Sequence, residues 1–308
     1  MNIEAELSKL APQRDTALTI GVFDGVHIGH GQLVEKVKED ARRNGLLACV
    51  MTFDRHPQQV LCPDCQMSFL TTTDEKLNLL KGLGADMVVA LPFTRETAQL
   101  GARRFVTLLK KYLRMRTLVI GPDFALGRNR EGDASQLGSL SVEMGFNLIA
   151  QSQVILDGEV VSSTAIRAAL AAGEIGKVNR MLGRPYSVSG RVEPGAERGR
   201  TMGFPTANLS IDLEKALPPD GVYVTLAHFD GSAYASVTNV GPCPTFESGK
   251  FCVEVHVLDF RGDLYGKPLR IEVLERLRGE TKFASADELK AQIARDVERA
   301  RAALSVRK

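Results

Sequence analysis

Apolar residues in the first half of the chain follow two alternating rhythms. Leu18 to Phe23 is a continuous, mostly apolar run, as expected of a buried strand. It breaks at Asp24-Gly25, and Leu33, Val34, Val37 and Ala41 then recur at helical spacing. Leu46–Phe53, Met87–Leu91, Thr117–Gly121 and Phe146–Ala150 repeat the strand pattern. Between them, Thr72 with Glu75 forms a capping box for a helix through about Lys81. Phe105, Leu108, Leu109, Tyr112 and Leu113 make a helical stripe, Gly132–Gly145 reads as helix, and hydroxyl caps open another at Ser163–Ala172. Strands alternating with helices predict a doubly wound α/β domain with a parallel sheet.

Near Gly183 the rhythm changes. Short runs rich in β-branched residues follow at Tyr186–Val192, Val222–Phe229, Ala233–Val240, Phe251–Leu258 and Leu269–Leu274, separated by Gly-Asp, Asp-Gly and Pro-rich turns. Regular short strands predict a small antiparallel β-barrel. Ser285 with Glu288 caps a final helix that runs past Arg295.

A length of 308 residues suits about two domains. Basic and acidic side chains nearly balance, at 39 and 37, and they balance within each half too. The excess of positive charge that nucleic-acid binding needs is missing, so a nucleic-acid partner is not expected. The N-terminus is acidic and has no apolar h-region, and no run approaches the roughly 18–20 apolar residues of a membrane span. Five scattered cysteines in a chain of this size suit a reducing, cytoplasmic setting. Cys62 and Cys65 form a CxxC, but Pro63-Asp64 between them reads as a turn rather than a redox helix start.

The most informative residues are IGVFDGVHIGHG, Ile20–Gly31. A strand end feeding a helix start collects free N–H groups and positive dipole, which suits phosphate. Gly29 allows close backbone approach, and His27 and His30 can donate to phosphate oxygens, charged when phosphate is near and neutral otherwise. Ordinary histidines at a helix start, or a shared zinc, are the rival readings; no Cys or third His lies nearby to complete a zinc site. TFDRHP (Thr52–Pro57) and GPDFALGRNREGD (Gly121–Asp133) follow two other strands and should face the same crevice. The second carries Arg128 and Arg130 and has the length of a mobile ligand loop. VSSTAIR (Val161–Arg167) places three hydroxyls at a helix start with Arg167 one turn in, a second anion-suited end.

HIGH in this setting resembles the signature of the nucleotidyltransferase superfamily. The ordered series GVFDGVHIGH, TFD-HP, GPDF and SST-IR, then GRTMGFPTANL (Gly199–Leu209), DGVYVT, TNVGPCPTF (Thr238–Phe246), VEVHVLDF (Val253–Phe260), DLYGK and Arg278–Phe283, resembles the bacterial bifunctional riboflavin kinase/FAD synthetase family over almost the whole chain. Arg55, Ala125-Leu126, Ala165 and Pro194-Gly195-Ala196 depart from the family pattern. The resemblance implies a Rossmann-like FMN adenylyltransferase domain over 1–183 and a riboflavin kinase barrel with a terminal helix over 184–308. It implies that riboflavin is phosphorylated by ATP to FMN, and FMN adenylylated to FAD with release of pyrophosphate. Mg²⁺ would accompany ATP, with FMN and FAD as substrate and product. The chain would be a monomer or weak homo-oligomer.

By the same resemblance the catalytic residues are His27, His30 and Arg167 in the first domain and Glu254 in the second. Gly21, Phe23, Asp24, Gly29, Ser163, Thr164, Gly199, Gly203, Thr206 and Asn208 would bind ATP and its phosphates. Thr206 and Asn208 would also hold the metal, and Asp123, Arg128, Arg278 and Phe283 would meet flavin. Period-2 alternation separates Glu254 and His256 from Val253, Val255 and Val257. A single-site nucleotidyltransferase with a structural β domain would leave PTAN and Glu254 idle. A flavin- or nucleotide-sensing module without catalysis would leave the histidines unexplained as well.

Overall fold

β1 (Thr16–Ile20) is buried at every position and pairs in parallel on both sides. The computed structural model describes residues 3–65, 67–195, 199, 202–242 and 251–305. These form two compact units, Met1–Ser163 and Thr164–Lys308. In the first unit, α1 (Ile3–Ser8) precedes β1, and α2 (Ile28–Asn44), β2 (Leu47–Phe53), α3 (Pro57–Leu61), α4 (Thr73–Gly82) and β3 (Met87–Leu91) follow it. Then come α5 (Arg95–Ala98), α6 (Ala102–Leu113), β4 (Met115–Ile120), α7 (Ala134–Met144), β5 (Asn147–Ala150) and a hairpin of β6 (Ile155–Leu156) and β7 (Glu159–Val160). The five-stranded parallel sheet runs β3-β2-β1-β4-β5. Alternate residues of each strand feed two cores. Leu18, Cys49, Met51 and Leu118 pack with Phe105, Leu109 and Leu113 of α6. Ala17, Ala48, Val50 and Val119 pack with Leu33, Val34 and Val37 of α2 and Leu80 of α4. Helices therefore cover both faces, the doubly wound arrangement expected from the sequence.

The strand order reverses between β1 and β4, so the crevice at their carboxyl ends is the topological switch point where such sheets bind ligands. α2 follows β1 there.

The second unit opens with α8 (Ser163–Ala171) and α9 (Ile175–Leu182). Six antiparallel strands then close a barrel: β8 (Tyr186–Glu193), β9 (Ala207–Ser210), β10 (Gly221–Phe229), β11 (Ser232–Pro242), β12 (Phe251–Val257) and β13 (Pro268–Arg278). They are joined in the order β10-β11-β12-β9-β8-β13. β9, four residues of the PTANLS segment, carries too little pattern to read as a strand, yet it is the piece that closes the barrel between β8 and β12. α10 (Ala286–Ser305) lays Val297 and Ala300 on Val222, Val224, Val237, Leu274 and Leu277. Its start keeps the expected cap, Glu288 N donating to Ser285 Oγ at 3.2 Å. Inside the barrel Thr225 Oγ1 is shared by Ser236 Oγ at 2.7 Å and Thr238 Oγ1 at 2.8 Å, all three residues fully buried.

α9 belongs to the barrel unit. Ile175, Val178, Met181 and Leu182 are buried. Asn179 Nδ2 donates to Val273 O at 2.9 Å, and its Oδ1 accepts from Tyr186 N at 2.8 Å. A fragment cut at residue 184 discards these contacts. We expect a 164–308 fragment to melt well above a 184–308 fragment, because several large apolar side chains and two hydrogen bonds are lost, each side chain worth about 2–5 kcal/mol. Equal melting temperatures would show that α9 contributes nothing.

Cys65 N donates to Cys62 O at 3.0 Å, the turn expected at Pro63-Asp64, and the two sulfurs are joined in a disulfide. Cys252 is also disulfide-bonded; Cys243 lies outside the described residues. Cys49 is free and fully buried in β2, and burial pushes its thiol up to about 12. It therefore stays protonated and unreactive at neutral pH. Alkylation followed by peptide mass spectrometry should leave Cys49 unlabelled in the native protein and labelled after denaturation.

Candidate functional site

β1 ends in a turn with three residues at positive φ: Phe23 at 54°, Gly25 at 80° and Val26 at 41°. For Phe and β-branched Val this costs about 1–3 kcal/mol each and persists only where surroundings enforce it. The enforcement is visible. Gly25 N donates to Thr71 Oγ1 at 3.0 Å, and Thr71 N and Oγ1 donate to Asp24 Oδ1 at 3.1 and 3.3 Å. Thr52 Oγ1 donates to Val22 O at 3.1 Å, and Ser163 Oγ to Asp24 O at 2.8 Å.

The turn delivers His27 to the N-cap of α2. There the two histidines cap each other: His30 N donates to His27 Nδ1 and His27 N to His30 Nδ1, both at 3.3 Å. Their rings stack with centroids 3.6 Å apart, and the edge of Phe23 meets His30 at 5.0 Å. An Nδ1 that accepts carries no proton, so each neutral ring holds its proton at Nε2 and offers that N–H as a donor. This refines the sequence expectation of charging near phosphate, because protonating Nδ1 would break the cap that holds the ring. Gly29 is closely packed: a Cβ there would lie 3.1 Å from His27 Nδ1, so the ring would have to give by a few tenths of an ångström. A Cβ at Gly21 would lie equally close to the Phe23 ring.

Gly21, Phe23, Asp24, His27, Gly29, His30 and Ser163 thus cluster around one turn. Asp24 is 5% exposed and its carboxylate is taken by Thr71, so it shapes the turn. Thr71 and the buried Lys76 of α4 are parts of this cluster that the sequence patterns did not single out. Nothing in a polar helix start announces burial. Thr164 and Arg167 meet each other, Arg167 Nη2 lying 3.5 Å from Thr164 Oγ1.

The Gly121–Asp133 segment is pinned, contrary to the mobile loop expected from its length. Leu126 and Gly132 exchange two backbone hydrogen bonds, and Arg128–Arg130 form a short 3₁₀ turn. Arg128 N donates to Leu100 O at 2.7 Å, and Glu131 Oε1 accepts from Ala102 N at 2.7 Å, capping α6. Arg130 rather than Arg128 reaches Asp123, through its backbone O at 2.8 Å. Asp123 and Arg128 themselves are exposed.

The second cluster lies on the barrel's outer surface. Register places Asn208 opposite Glu254 and also opposite Glu193, with Asn239 on Glu254's other side. Directly paired residues share a face, so Glu193, Asn208, Glu254 and Asn239 form one row. Val253, Val255 and Val257 point inward, leaving Glu254 and His256 half-buried on that surface. Gly195 presses on the row, since a Cβ there would lie 2.0 Å from Asn208 Nδ2; at Gly199 a Cβ would lie 2.4 Å from Phe204 O and 3.4 Å from Thr206 Oγ1. Gly199 O accepts from Phe204 N at 2.8 Å. Phe204 meets the His256 ring edge-on at 5.5 Å, and His256 Nδ1 is 2.8 Å from Pro205 O. Gly203, at φ 89°, turns the chain into this segment. Arg200, Thr201 and 243–250 lie outside the described residues. Arg278 pairs with the buried Asp296 of α10, Nε to Oδ2 at 3.0 Å, and lies over Phe283 at 5.7 Å. Its guanidinium is thus already paired with a carboxylate. No group of three His, Cys, Asp or Glu side chains suited to a metal occurs among the described residues.

Residues 9–165 match the family model described as FAD synthetase, and residues 182–304 match the one described as riboflavin kinase. A protein of Escherichia coli (strain K12), "Bifunctional riboflavin kinase/FMN adenylyltransferase", is 42% identical over 289 residues, 93% of this chain and 92% of that one. The chain belongs to the bifunctional riboflavin kinase/FMN adenylyltransferase family. A relative of the same description from Pseudomonas fluorescens is 38% identical over 98% of this chain and 97% of its own. A solved structure from Streptococcus pneumoniae, described as a macrolide-efflux protein, superposes with a TM-score of 0.87 at 31% identity, covering 96% of each chain. Among the described residues of the present family member no helix is long and apolar enough to cross a membrane.

The Glu131 cap sets an expectation for the first site. Glu131→Ala uncaps α6 and releases the 121–133 segment, at a cost of ~1 kcal/mol. Hydrogen exchange should rise at 121–133 and at the first turn of α6. Unchanged exchange would mean that the cap does not hold the loop.

Proposed function

We propose that the chain performs two ATP-dependent steps on one flavin at two separate sites. Its second unit phosphorylates riboflavin to FMN, and its first adenylylates FMN to FAD. The reading is carried by two observations, the reciprocal histidine cap at the switch point of one unit and, separately, the carboxylate–amide row on the barrel of the other.

In the first step the ribityl 5′-hydroxyl attacks the γ-phosphorus of ATP. Glu254 accepts the hydroxyl proton as the P–O bond forms, and ADP leaves. Thr206 and Asn208 offer oxygen donors beside Glu254, a set suited to a hard cation such as Mg²⁺, and Gly195 and Gly199 bring backbone against them. When bound, Mg²⁺ neutralises charge on the phosphates. Asn208 is fixed between two strands, so it orients its neighbours rather than searching for them. The kinase part is read as 184–308, and the packing of α9 on the barrel supports it from outside that range.

In the second step an FMN phosphate oxygen attacks the α-phosphorus of a second ATP, and pyrophosphate leaves. No covalent nucleophile on the protein is needed. The Nε2–H groups of His27 and His30, the free N–H groups at the start of α2 and the hydroxyl of Ser163 stabilise charge on the polyphosphate. Thr164 and Arg167 are assigned to the same phosphates on their motif alone, as are Asp123, Arg128 and Phe283 to flavin. The use of ATP and of a phosphorylated flavin supports a cytoplasmic setting.

One preparation of each of two variants tests the division. His30→Ala should lower FMN-to-FAD conversion ~10²–10³-fold and spare riboflavin phosphorylation. Glu254→Gln should lower phosphorylation ~10²–10⁴-fold and spare FAD formation from supplied FMN. Chromatography of both half-reactions reads the result. A folded variant that loses the other activity instead would sink the two-site reading.

A further inference from the structure

Lys76 stands in the second turn of α4 and is only 6% exposed. Its Nζ donates to Phe53 O, at the carboxyl end of β2, at 2.7 Å. Two carboxylates attract it: Asp24 in the turn after β1 and Asp54 after β2. Burial opposes its charge, and the two aspartates restore it. Asp24 is also 5% exposed. Thr73 Oγ1 donates to Asp54 O at 2.7 Å, and Asp54 Oδ1 accepts from Phe93 N at 3.0 Å. The start of α4 therefore grips the ends of two adjacent strands, through Thr71 on one and Thr73 and Lys76 on the other. The Lys76 ammonium interacts electrostatically with both carboxylates, the buried Asp24 and the half-buried Asp54.

We propose that Lys76 is a positioning residue for the adenylyl-transfer site. Its buried ammonium offsets Asp24 and Asp54, and so keeps the strained Phe23–Val26 turn in the shape that presents His27 and His30. This rests on the reading of the first unit as the site of FMN adenylylation. Without the ammonium, the buried Asp24 and the half-buried Asp54 keep their hydrogen bonds from Thr71 and Phe93 but lose the positive charge that offsets them, a costly arrangement that relaxes by moving the turn. A displacement of about 1 Å in a reacting geometry costs ~10²-fold in rate. The side chain touches no substrate, so the loss falls on kcat more than on the KM for FMN.

The experiment is a double-mutant cycle in the full-length chain with Lys76→Met, Asp24→Asn and the pair, each assayed for both half-reactions and for melting temperature. Lys76→Met should lower kcat for FAD formation ~10²-fold while riboflavin phosphorylation stays at the wild-type level. Asp24→Asn keeps an oxygen for Thr71 but removes the charge, so the pair should recover most of the loss. A role in packing alone would show no recovery. If Lys76→Met does not fold, a folded and adenylylating double variant still supports the charge link; failure of both to fold overturns it. A folded Lys76→Met with wild-type FAD formation, or a loss that Asp24→Asn does not relieve, also overturns it. Wild-type protein that makes no FAD from FMN and ATP would instead refute the functional reading on which this rests.

Discussion

The complete burial of β1 is the constraint on which the first unit depends. A strand paired on both sides and covered on both faces has nowhere to go at its end except into a tight reversal. Gly21 N is still bonded to Met51 O at 3.0 Å, and α2 begins only seven residues later. The chain bridges that gap through left-handed Phe23, Gly25 and Val26. Such a turn is unfavourable alone, and Thr71 just ahead of α4, Thr52 of β2 and Ser163 supply the hydrogen bonds that make it the stable shape. The anion-suited helix end is thus a product of the sheet's own packing.

The two sites solve the problem of fixing polar groups differently. At the first, two imidazoles hold each other through a stack and two backbone hydrogen bonds within one helix start. At the second, the row Glu193–Asn208–Glu254–Asn239 is fixed by strand register, and every side chain inherits its place from the barrel's closure. Local capping and long-range register are different routes to preorganisation, and the joined chain uses both.

The sheet, the barrel's long strands and the HIGH turn were legible because each has a clear periodicity or a dense motif. Gly29 reads as room for a ligand beside the backbone, and the atom packed closest over it in the structure is His27 Nδ1. Three features were hidden for physical reasons. β9 is too short to show alternation and exists because β8 and β12 flank it. The pinning of 121–133 depends on Glu131 reaching Ala102, a partner 29 residues away that no local pattern names. Lys76 looks like any surface lysine of an amphipathic helix, since its counter-charges come from two other loops. The disulfide at Cys62–Cys65 shares a turn that Pro63-Asp64 announced, but the bond itself is not a matter of pattern.

The three buried hydroxyls inside the barrel bear on how the second unit finds its fold. Thr225 and Ser236 are direct partners across β10 and β11, and Thr238 sits diagonally, so each hydroxyl is satisfied only when these strands pair in their native alignment. A slip of one residue would put Ser236 and Thr238 on the face opposite Thr225 and drive the apolar neighbours of one strand out of the interior. A slip of two that set Thr225 opposite Tyr234 would keep the hydroxyls inside but carry Thr238 out of reach of Thr225, at about 1–3 kcal/mol for the lost partner. An all-valine lining would tolerate such slips far better. The hydroxyl trio therefore acts as a proofreading element for the longest hairpin, discriminating the correct closure from its near neighbours where an apolar core would not.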